Sequence, residues 1–418
     1  MPEIAEVARV THFLRQHLVG KKIGKIVAQD DSSVFGKVGT SGAAFQAALA
    51  GKRVVGAGSQ GKYFWLELDA PPHPVMHFGM TGWIHIRGEQ TAYNRYAERM
   101  NGADKEAWPP KYWKFHLATD SDPQVCVAFT DARRFGRIRL VDCPGAEIRS
   151  NSPLVENGPD PVVDRDRFTE EYLSKKMKGR HVPIKALLLD QAMISGIGNW
   201  VGDEIMYQAE LHPEQYSDDF SDVEIAKLYK AICYVCDTAV EHLGDSDKFP
   251  ADWLFHHRWG KGKKDAATAL PSGEKIIFVT VGGRTSCVVP SRQKKTGRVA
   301  PGVKEEEPEP EPKTASKAKA KSKTEMKEEK STKKKSRFFD KGENEDDDQE
   351  AEPEVRPAKK ARTAGKKPVK EEGDEPVSTE RKNSKPKKGS RKIIEKATSS
   401  APPDIGRRRS TRLSKAAS

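Results

Sequence analysis

The stretch PIKALLLDQAMISGIGNWVGDEIMYQAEL, residues 183–211, is the most informative for the fold. Its first part, Pro183–Ala192, predicts a short helix. Asn199–Leu211 predicts a second helix with Asn199 as its N-cap residue. MISGIG between them is a turn in which Gly196 and Gly198 allow a partner to approach the backbone closely. We expect the amides at the second helix start, together with the asparagine side chain, to form an anion cradle suited to phosphate.

Helical periodicity also marks the first residues and the region after residue 220. Near the start, side chains recur every three or four positions and predict an amphipathic helix that Gly20 ends: Ile4, Val7, Thr11, Leu14 and Leu18. A second stripe predicts another helix: Ile225, Leu228, Ile232, Val235 and Ala239. Cys233 and Cys236 lie on this second helix, where we interpret them as core thiols rather than a metal or redox pair.

Short β-rich runs separated by Gly- and Pro-rich turns occupy much of the first 150 residues. Four runs are the clearest: KYFWLEL (62–68), WIHIR (83–87), QVCVAF (124–129) and GRIRLV (136–141). The alternation in WIHIR predicts one buried and one wet face. We therefore predict an α+β fold, with an antiparallel β-sandwich flanked by helices over residues 1–150. A loop rich in Pro, Asn and Asp (150–166) then leads into a helical domain over residues 151–300.

Two further β-rich runs, KIIFVTV and RTSCVVP, flank Gly282–Gly283 within residues 275–290. A two-residue Gly-Gly loop needs positive φ at both positions and is typical of a tight hairpin.

Residues 301–418 form a highly charged tail. Lys and Arg number 33 there, and Asp and Glu 24, against 73 and 61 in the whole chain of 418 residues. Such a segment cannot bury enough apolar surface to offset its ordering entropy, so we predict that it is disordered. Its basic clusters predict a nuclear location, although any one of them could equally be a solvated spacer or a contact to nucleic acid: KKKSR (333–337), PAKKAR (357–362), RKNSKPKK (381–388) and RRRSTR (407–412).

Composition also excludes several classes of protein. No apolar run reaches 18 residues, so we predict no membrane span. The N-terminus lacks a basic region followed by an apolar one, so we predict no secretory signal. Five scattered cysteines do not suit a disulfide scaffold, and we expect reduced thiols in an intracellular compartment.

The first residues, Met1-Pro2-Glu3, suggest chemistry as well as a helix start. Removal of Met1 would expose Pro2 as a secondary amine, and α-amino groups titrate near about 8. A neutral secondary amine attacks an electrophilic sugar carbon and forms an iminium, and a neighbouring carboxylic acid can donate the proton that opens the ring. The alternative is that Pro-Glu merely begins the helix, because both residues suit a first turn.

Five motifs together resemble the formamidopyrimidine-DNA glycosylases, bifunctional base-excision enzymes of the helix–two-turns–helix superfamily. They are MPEIAEV (1–7), QGKY (60–63), HFGMTGW (77–83), TDARRFGR (130–137) and LLLDQAMISGIGNWVGDEI (187–205). The resemblance extends from residue 2 to about residue 295 in the family's order.

The resemblance implies catalytic roles for five residues. Pro2 would be the nucleophile at C1′ of the damaged nucleoside, and Glu3 the general acid at the sugar. Glu6 resembles the family's second N-terminal acidic residue. Lys62 would contact a phosphate and assist β-elimination, and Arg284, just after the Gly-Gly turn, would be the donor in δ-elimination.

The resemblance also implies a set of DNA-binding residues. Asn199 would clamp phosphates around the lesion together with the hairpin arginine. Met80, Arg133 and Phe135 match the trio that fills the space left by an extruded base; outside this context they would be ordinary core and salt-bridge residues. Tyr112 stands where bacterial members have a DNA-contacting histidine. A last residue, Arg180, is a further candidate phosphate contact.

The sequence departs from bacterial members at the hairpin, called the finger. Those proteins carry four cysteines there that bind zinc, whereas Lys275–Gln293 holds only Cys287. It therefore resembles the zincless finger of plant and fungal members, and we predict no metal and no cofactor. His256 and His257 lack the partners of a metal site.

These features predict a nuclear, monomeric enzyme acting on double-stranded DNA that contains oxidised bases or abasic sites. It would remove oxidised purines, such as formamidopyrimidines and 8-oxoguanine, through a Schiff base on Pro2 followed by β,δ-elimination. Two alternatives are an oxidised-pyrimidine glycosylase of the same superfamily and a damaged-DNA-binding protein without catalysis.

Overall fold

The computed structural model describes residues 1–92, 107–259, 261 and 268–298. The α-helices of this part are α1 (Ile4–Leu18), α2 (Gly42–Leu49), α3 (Glu170–Lys178), α4 (Ile184–Leu188), α5 (Asn199–Gln208) and α6 (Asp222–Glu241). The predicted tail, with its expected disorder, lies outside the described residues, and the predicted domain limits stay a prediction. No helix in the described ranges is long and apolar enough to cross a membrane.

The predicted antiparallel sandwich is confirmed. Its strands are β1 (Ile23–Ala28), β2 (Val54–Gln60), β3 (Tyr63–Leu68), β4 (His73–His77), β5 (Trp83–Ile86), β6 (Trp113–Thr119), β7 (Cys126–Thr130) and β8 (Arg137–Val141). They form two four-stranded sheets in the orders β1-β6-β7-β5 and β2-β3-β4-β8. Aromatic rings fill the space between the sheets, where Phe78 stacks on Phe64, Trp83 and Phe129 at 4.5–5.8 Å between ring centroids.

The predicted wet face of WIHIR is exposed only at Arg87. Trp83, Ile84 and Ile86 are each at most 3% exposed. The chain after this strand folds back over it, because the Thr91 hydroxyl donates to the Ile84 carbonyl oxygen at 2.7 Å and the indole of Trp83 donates to Thr91. His85, on the same face as Trp83, is partly buried too, and burial lowers its pKa to about 4. Alternation therefore misleads where a loop covers a sheet face.

Helix α1 begins and ends as the periodicity predicts, with Gly20 at φ +85° just after it. Its first residues, Ile4 and Ala5, pack into the helical core with α3–α6. Most of its later apolar residues, from Val7 to Leu18, pack into the sandwich core. One helix thus contributes to both cores and fixes the first residues of the chain between them.

The finger is the predicted hairpin, made of β9 (Ile277–Val281) and β10 (Arg284–Val288). Gly282 and Gly283 both have positive φ, +60° and +77°, as a two-residue turn of this kind requires. An apolar cluster that includes Tyr207 of α5 and Cys287 of β10 attaches the finger to the helical part.

Candidate active site

The side chain of Glu3 closes the N-terminus of helix α5. Its two carboxylate oxygens accept hydrogen bonds from the backbone amides of Gly198 (2.8 Å), Trp200 (3.1 Å) and Val201 (3.1 Å). Residue 198 must be glycine, because a Cβ atom there would lie 2.1 Å from Glu3 Cδ. Glu3 is 2% exposed, and a carboxylate is the type of group that a helix N-terminus favours.

This arrangement corrects two predictions about Asn199. The cap residue of α5 is Gly198, and Asn199 is the first helical residue. The predicted phosphate cradle is wrong for three of its amides, since the anion bound to them is the protein's own Glu3. Glu3 lies 195 positions from Gly198, so the local GxGN pattern could not indicate that a side chain of the protein itself binds these amides.

Asn199 instead connects α5 to the finger. Its side-chain amide donates to the carbonyl oxygen of Thr285 at 3.0 Å, while its Oδ1 atom is buried and accepts no hydrogen bond from the residues that the structure describes. Thr285 follows Arg284, which is exposed at the first position of β10. The structure thus brings Glu3, Asn199 and Arg284 to one place, as the resemblance implies.

Lys62 lies in the turn between β2 and β3, which packs against the loop before α3. The amide of Gly61 donates to Asp160 Oδ2 at 2.7 Å, and the amide of Ser195 donates to the carbonyl oxygen of the adjacent Pro159 at 3.1 Å. The carbonyl oxygen of Gly196 in turn accepts from the amide of Ile4 at 3.1 Å. Lys62 is therefore held beside the chain start, although 60 residues separate them in sequence.

Burial and neighbouring charges shift the pKa values of Lys62 and Glu6. Burial lowers the pKa of Lys62, and the positive charge of Arg284 lowers it further, whereas Glu3 and Glu6 raise it. Burial raises the pKa of Glu6 to about 7, and the negative charge of Glu3 contributes to this rise. Glu6 accepts from the Glu3 amide at 3.0 Å and from the indole of Trp200 at 3.2 Å. A carboxyl with a pKa of about 7 can exchange protons at working pH, and strongly shifted groups of this kind are typical of functional sites.

The raised pKa of Glu6 has a consequence for stability. A carboxyl with a folded-state pKa of about 7 against an ordinary 4.5 favours folding below pH 4.5 and loses that contribution as the pH rises through 7. Glu6→Gln removes this titration. The variant should therefore gain stability relative to the wild type between pH 5 and pH 8, by at most about 3 kcal/mol.

Denaturant unfolding at several pH values measures this difference. Comparison with the variant is needed because three buried histidines with lowered pKa values titrate in the opposite sense over this range: His77, His85 and His212. Glu210→Gln is the matched control, since Glu210 is exposed in an ion pair with Lys227. A pH-independent difference for Glu6→Gln would contradict the assignment.

The three residues expected to fill the space of an extruded base lie on two neighbouring loops. Asp131 joins these loops: Oδ1 accepts from the Thr81 hydroxyl (2.6 Å) and the Arg133 amide (3.2 Å). Its Oδ2 atom accepts from the Gly136 amide at 2.6 Å. Met80 precedes Thr81, and the Arg133 guanidinium lies 5.0 Å from the centre of the Phe135 ring. All three are partly exposed rather than core residues.

Sequence reasoning missed Asp131 and His77. Asp131 is fully buried, and the only available signal was its place in TDARRFGR. His77 pairs with Tyr63, the residue after Lys62, and with Arg137. Burial, Lys62 and nearby arginines lower the pKa of His77 to about 3, so its imidazole is neutral at working pH. This pairing places the loops that carry Met80, Arg133 and Phe135 at the same end of the sheet as Lys62.

Two other predicted DNA contacts lie elsewhere on the surface. Tyr112 is 50% exposed at φ +62°, and its carbonyl oxygen accepts from the Asp131 amide at 3.0 Å, so it neighbours the filling loops. Arg180 forms an ion pair with Asp190. Both roles stay predictions.

Metal binding finds no support in the ranges that the structure describes. They contain no group of three or more His, Cys, Asp and Glu side chains placed to hold an ion. The cysteines are free thiols, and burial raises the pKa of Cys236 well above its usual range, as expected of a core thiol. Part of the loop at residues 259–274 lies outside the described residues.

Comparison with known proteins identifies the family. Residues 1–138 match the formamidopyrimidine-DNA glycosylase N-terminal domain, and residues 157–250 match the H2TH domain of the same enzymes. Among curated proteins, the chain is 41% identical over 304 residues to a formamidopyrimidine-DNA glycosylase of Arabidopsis thaliana, covering 72% of this chain and 73% of the relative. It is 32% identical over 301 residues to the enzyme of Dinoroseobacter shibae, covering 70% and 100%.

Solved structures agree on the fold. The Lactococcus lactis enzyme, bound non-covalently to DNA containing an AP site, superposes with a TM-score of 0.56 at 23% identity over 70% of this chain and all of that one. MutM in complex with DNA containing carbocyclic 8-oxoG gives a TM-score of 0.57 at 23% identity, with the same coverage. The matched domains, the curated relatives and this shared fold agree: the chain belongs to the formamidopyrimidine-DNA glycosylase family.

Proposed function

We propose that this protein excises oxidised purines from double-stranded DNA as a monomer and then cleaves the strand at the abasic site through a Schiff base on Pro2. Membership of the family supports a glycosylase of base-excision repair with lyase activity. The observation that carries the proposal is the capping of α5 by Glu3, which holds the chain start beside Asn199 and the finger. A protein that only bound DNA would not need an amine at that place.

In the first step, the Pro2 nitrogen forms a bond to C1′ while the bond from C1′ to the base breaks. The base leaves with the bonding electron pair and takes up a proton. The attacking Pro2 nitrogen gives up its proton to the Glu3 carboxylate, and Glu3 then donates this proton to the ring oxygen of the deoxyribose. The bond from C1′ to the ring oxygen breaks, which opens the sugar and leaves an iminium between Pro2 and C1′.

In the second step, the iminium acidifies the protons at C2′. Removal of one proton expels the 3′ phosphate, which is β-elimination. Burial lowers the pKa of Lys62, which favours the neutral amine, the form that would accept this proton. A second elimination expels the 5′ phosphate, with Arg284 as proton donor, and leaves a one-nucleotide gap with phosphate ends.

Base extrusion must precede this chemistry. It costs a few kcal/mol, because the target base loses its stacking and pairing. Met80 and Phe135 offer apolar atoms that can replace the stacking, and Arg133 offers hydrogen bonds to the orphaned opposite base. The loops that Asp131 joins would hold this trio together during insertion.

A panel of labelled duplexes tests the proposal. We expect borohydride to trap a covalent complex with formamidopyrimidine, 8-oxoguanine and abasic-site DNA, and not with undamaged DNA. EDTA should leave trapping unchanged, because the predicted mechanism uses no metal. Preference for oxidised pyrimidines would favour the related glycosylase class, and binding without trapping would favour a non-catalytic damage binder.

We propose further that the protein works in the nucleus, with the basic clusters of residues 301–418 as import signals. A fluorescent reporter fused to this segment should accumulate in nuclei. Replacement of the lysines and arginines of the four clusters by glutamine should return it to the cytosol. A nuclear level equal to that of the unfused reporter would refute this proposal.

A further inference from the structure

Asp203 of helix α5 carries a fully buried negative charge that lies outside the mechanism above. Its Oδ1 atom accepts from Lys185 Nζ at 2.6 Å. Its Oδ2 atom accepts from Arg258 Nη2 at 2.9 Å and from the backbone amide of Cys287 at 3.1 Å. One carboxylate thus connects α4, the segment that follows residue 254, and strand β10 of the finger.

The charge balance of this cluster is unusual for a protein interior. Lys185 is fully buried and Arg258 is 5% exposed, so two cations share one carboxylate. Burying charges is unfavourable unless each is paired and hydrogen-bonded, and such clusters often contribute to a defined geometry rather than to stability. Asp203 is the member that contacts the finger backbone, so the geometry it defines includes the position of the finger.

The finger needs such an attachment, because an isolated two-stranded hairpin is marginally stable in water. Its apolar contacts with α5 lie in a cluster that includes Cys287 and Val289, and such contacts have little directional preference. The hydrogen bonds from Cys287 to Asp203 and from Asn199 to Thr285 are directional and hold consecutive parts of β10. Cys287 lies three residues after Arg284, so this anchor is about 10 Å along the strand from the guanidinium.

We propose that Asp203 is a positioning residue for strand cleavage, which holds β10 so that Arg284 meets the 5′ phosphate during δ-elimination. A bound metal can perform this cross-linking in other small hairpins, and here a carboxylate shared by two cations performs it. The proposal rests on the proposed function, because it assigns Asp203 to the last step of that reaction.

The test measures products rather than total activity. Abasic-site DNA is incubated with the wild type and with Asp203→Ala, and the δ-elimination product is quantified relative to the β-elimination product. We expect this ratio to fall about tenfold or more, since a misplaced proton donor loses much of its contribution. The rate of borohydride trapping should change far less, because Pro2 is anchored through Glu3 and not through the finger.

A second variant covers the case in which Asp203→Ala does not fold. Asp203→Ala combined with Arg258→Gln keeps the net charge of the cluster at the wild-type value, since one anion and one cation are removed together. The same fall in product ratio is expected. Amide hydrogen exchange should show loss of protection in peptides covering residues 284–288 in either variant that folds.

Leu228→Ala is the matched control, because Leu228 is fully buried in the helical core and does not belong to the apolar cluster that attaches the finger to α5. Leu228→Ala should lower the melting temperature. It should change neither the product ratio nor the protection of residues 284–288 from amide hydrogen exchange. An unchanged ratio in the Asp203 variants, or an equal fall in Leu228→Ala, would overturn the inference. A wild type that yields no δ-product at all would instead overturn the proposed function.

Discussion

An inserted lysine between Met1 and Pro2 is expected to abolish borohydride trapping on both oxidised and abasic-site DNA. The insertion turns the secondary amine of Pro2 into a tertiary amide nitrogen, which cannot form an iminium. The lysine also prevents removal of Met1, which occurs when the next residue is small. The wild type should therefore start at Pro2 and the variant at Met1, as mass spectrometry of both polypeptides would show.

Pro2→Gly is the matched control for this result. Glycine keeps a free α-amino group at the same place after Met1 is removed, so abasic-site DNA should still be trapped, more slowly than by proline. Binding to abasic-site DNA should persist in both variants, because the predicted phosphate contacts are untouched. Trapping that survived the inserted lysine would exclude Pro2 as the nucleophile and would direct attention to Lys62.

Glu3→Gln is expected to slow the release of oxidised purines by roughly 10²- to 10⁴-fold, the usual contribution of a general acid. Cleavage of preformed abasic sites should slow much less, because no base has to be displaced from them. Single-turnover rates on the two substrates measure the difference. Equal losses on both substrates would mean that Glu3 has a structural role and is not the acid.

The structural role of Glu3 must be controlled for. A glutamine has one acceptor oxygen in place of two, so it cannot satisfy the three amides of Gly198, Trp200 and Val201. We expect a loss of about 1–2 kcal/mol of stability from this change alone. Ser221→Ala removes the cap of α6, far along the chain from the site, and should lower stability without altering the ratio of the two rates.

Helices and hairpins that have a clear periodicity or turn motif in the sequence were predicted correctly. The period of α1 ended at its glycine, the Gly-Gly turn of the finger formed the expected hairpin, and the stripe of α6 is buried. Strands β1, β2, β4 and β6 and helix α2 were not predicted. Strand β2, VVGAGSQ, is rich in glycine, and β4 contains Pro74, so their strand formation depends on pairing with β3 rather than on propensity.

The contacts of the site that the sequence did not predict are made by residues far apart in the chain. The resemblance named Glu3, Lys62, Asn199 and Arg284, and the structure brings these together. It could not indicate that Glu3 caps α5, that Asp131 joins the filling loops or that Asp203 connects to the finger, because these contacts span 195, 50 and 84 residues. Buried polar partners of this kind follow from tertiary packing alone.

Helix α1 contributes to both cores, so the loss of residues at its start would affect the fold as well as the reaction. Enzymatic trimming beyond Pro2 would remove the carboxylate that closes α5 as well as the reactive amine. A clipped molecule would therefore lose the cap of α5, and the stability that the cap contributes, together with the nucleophile.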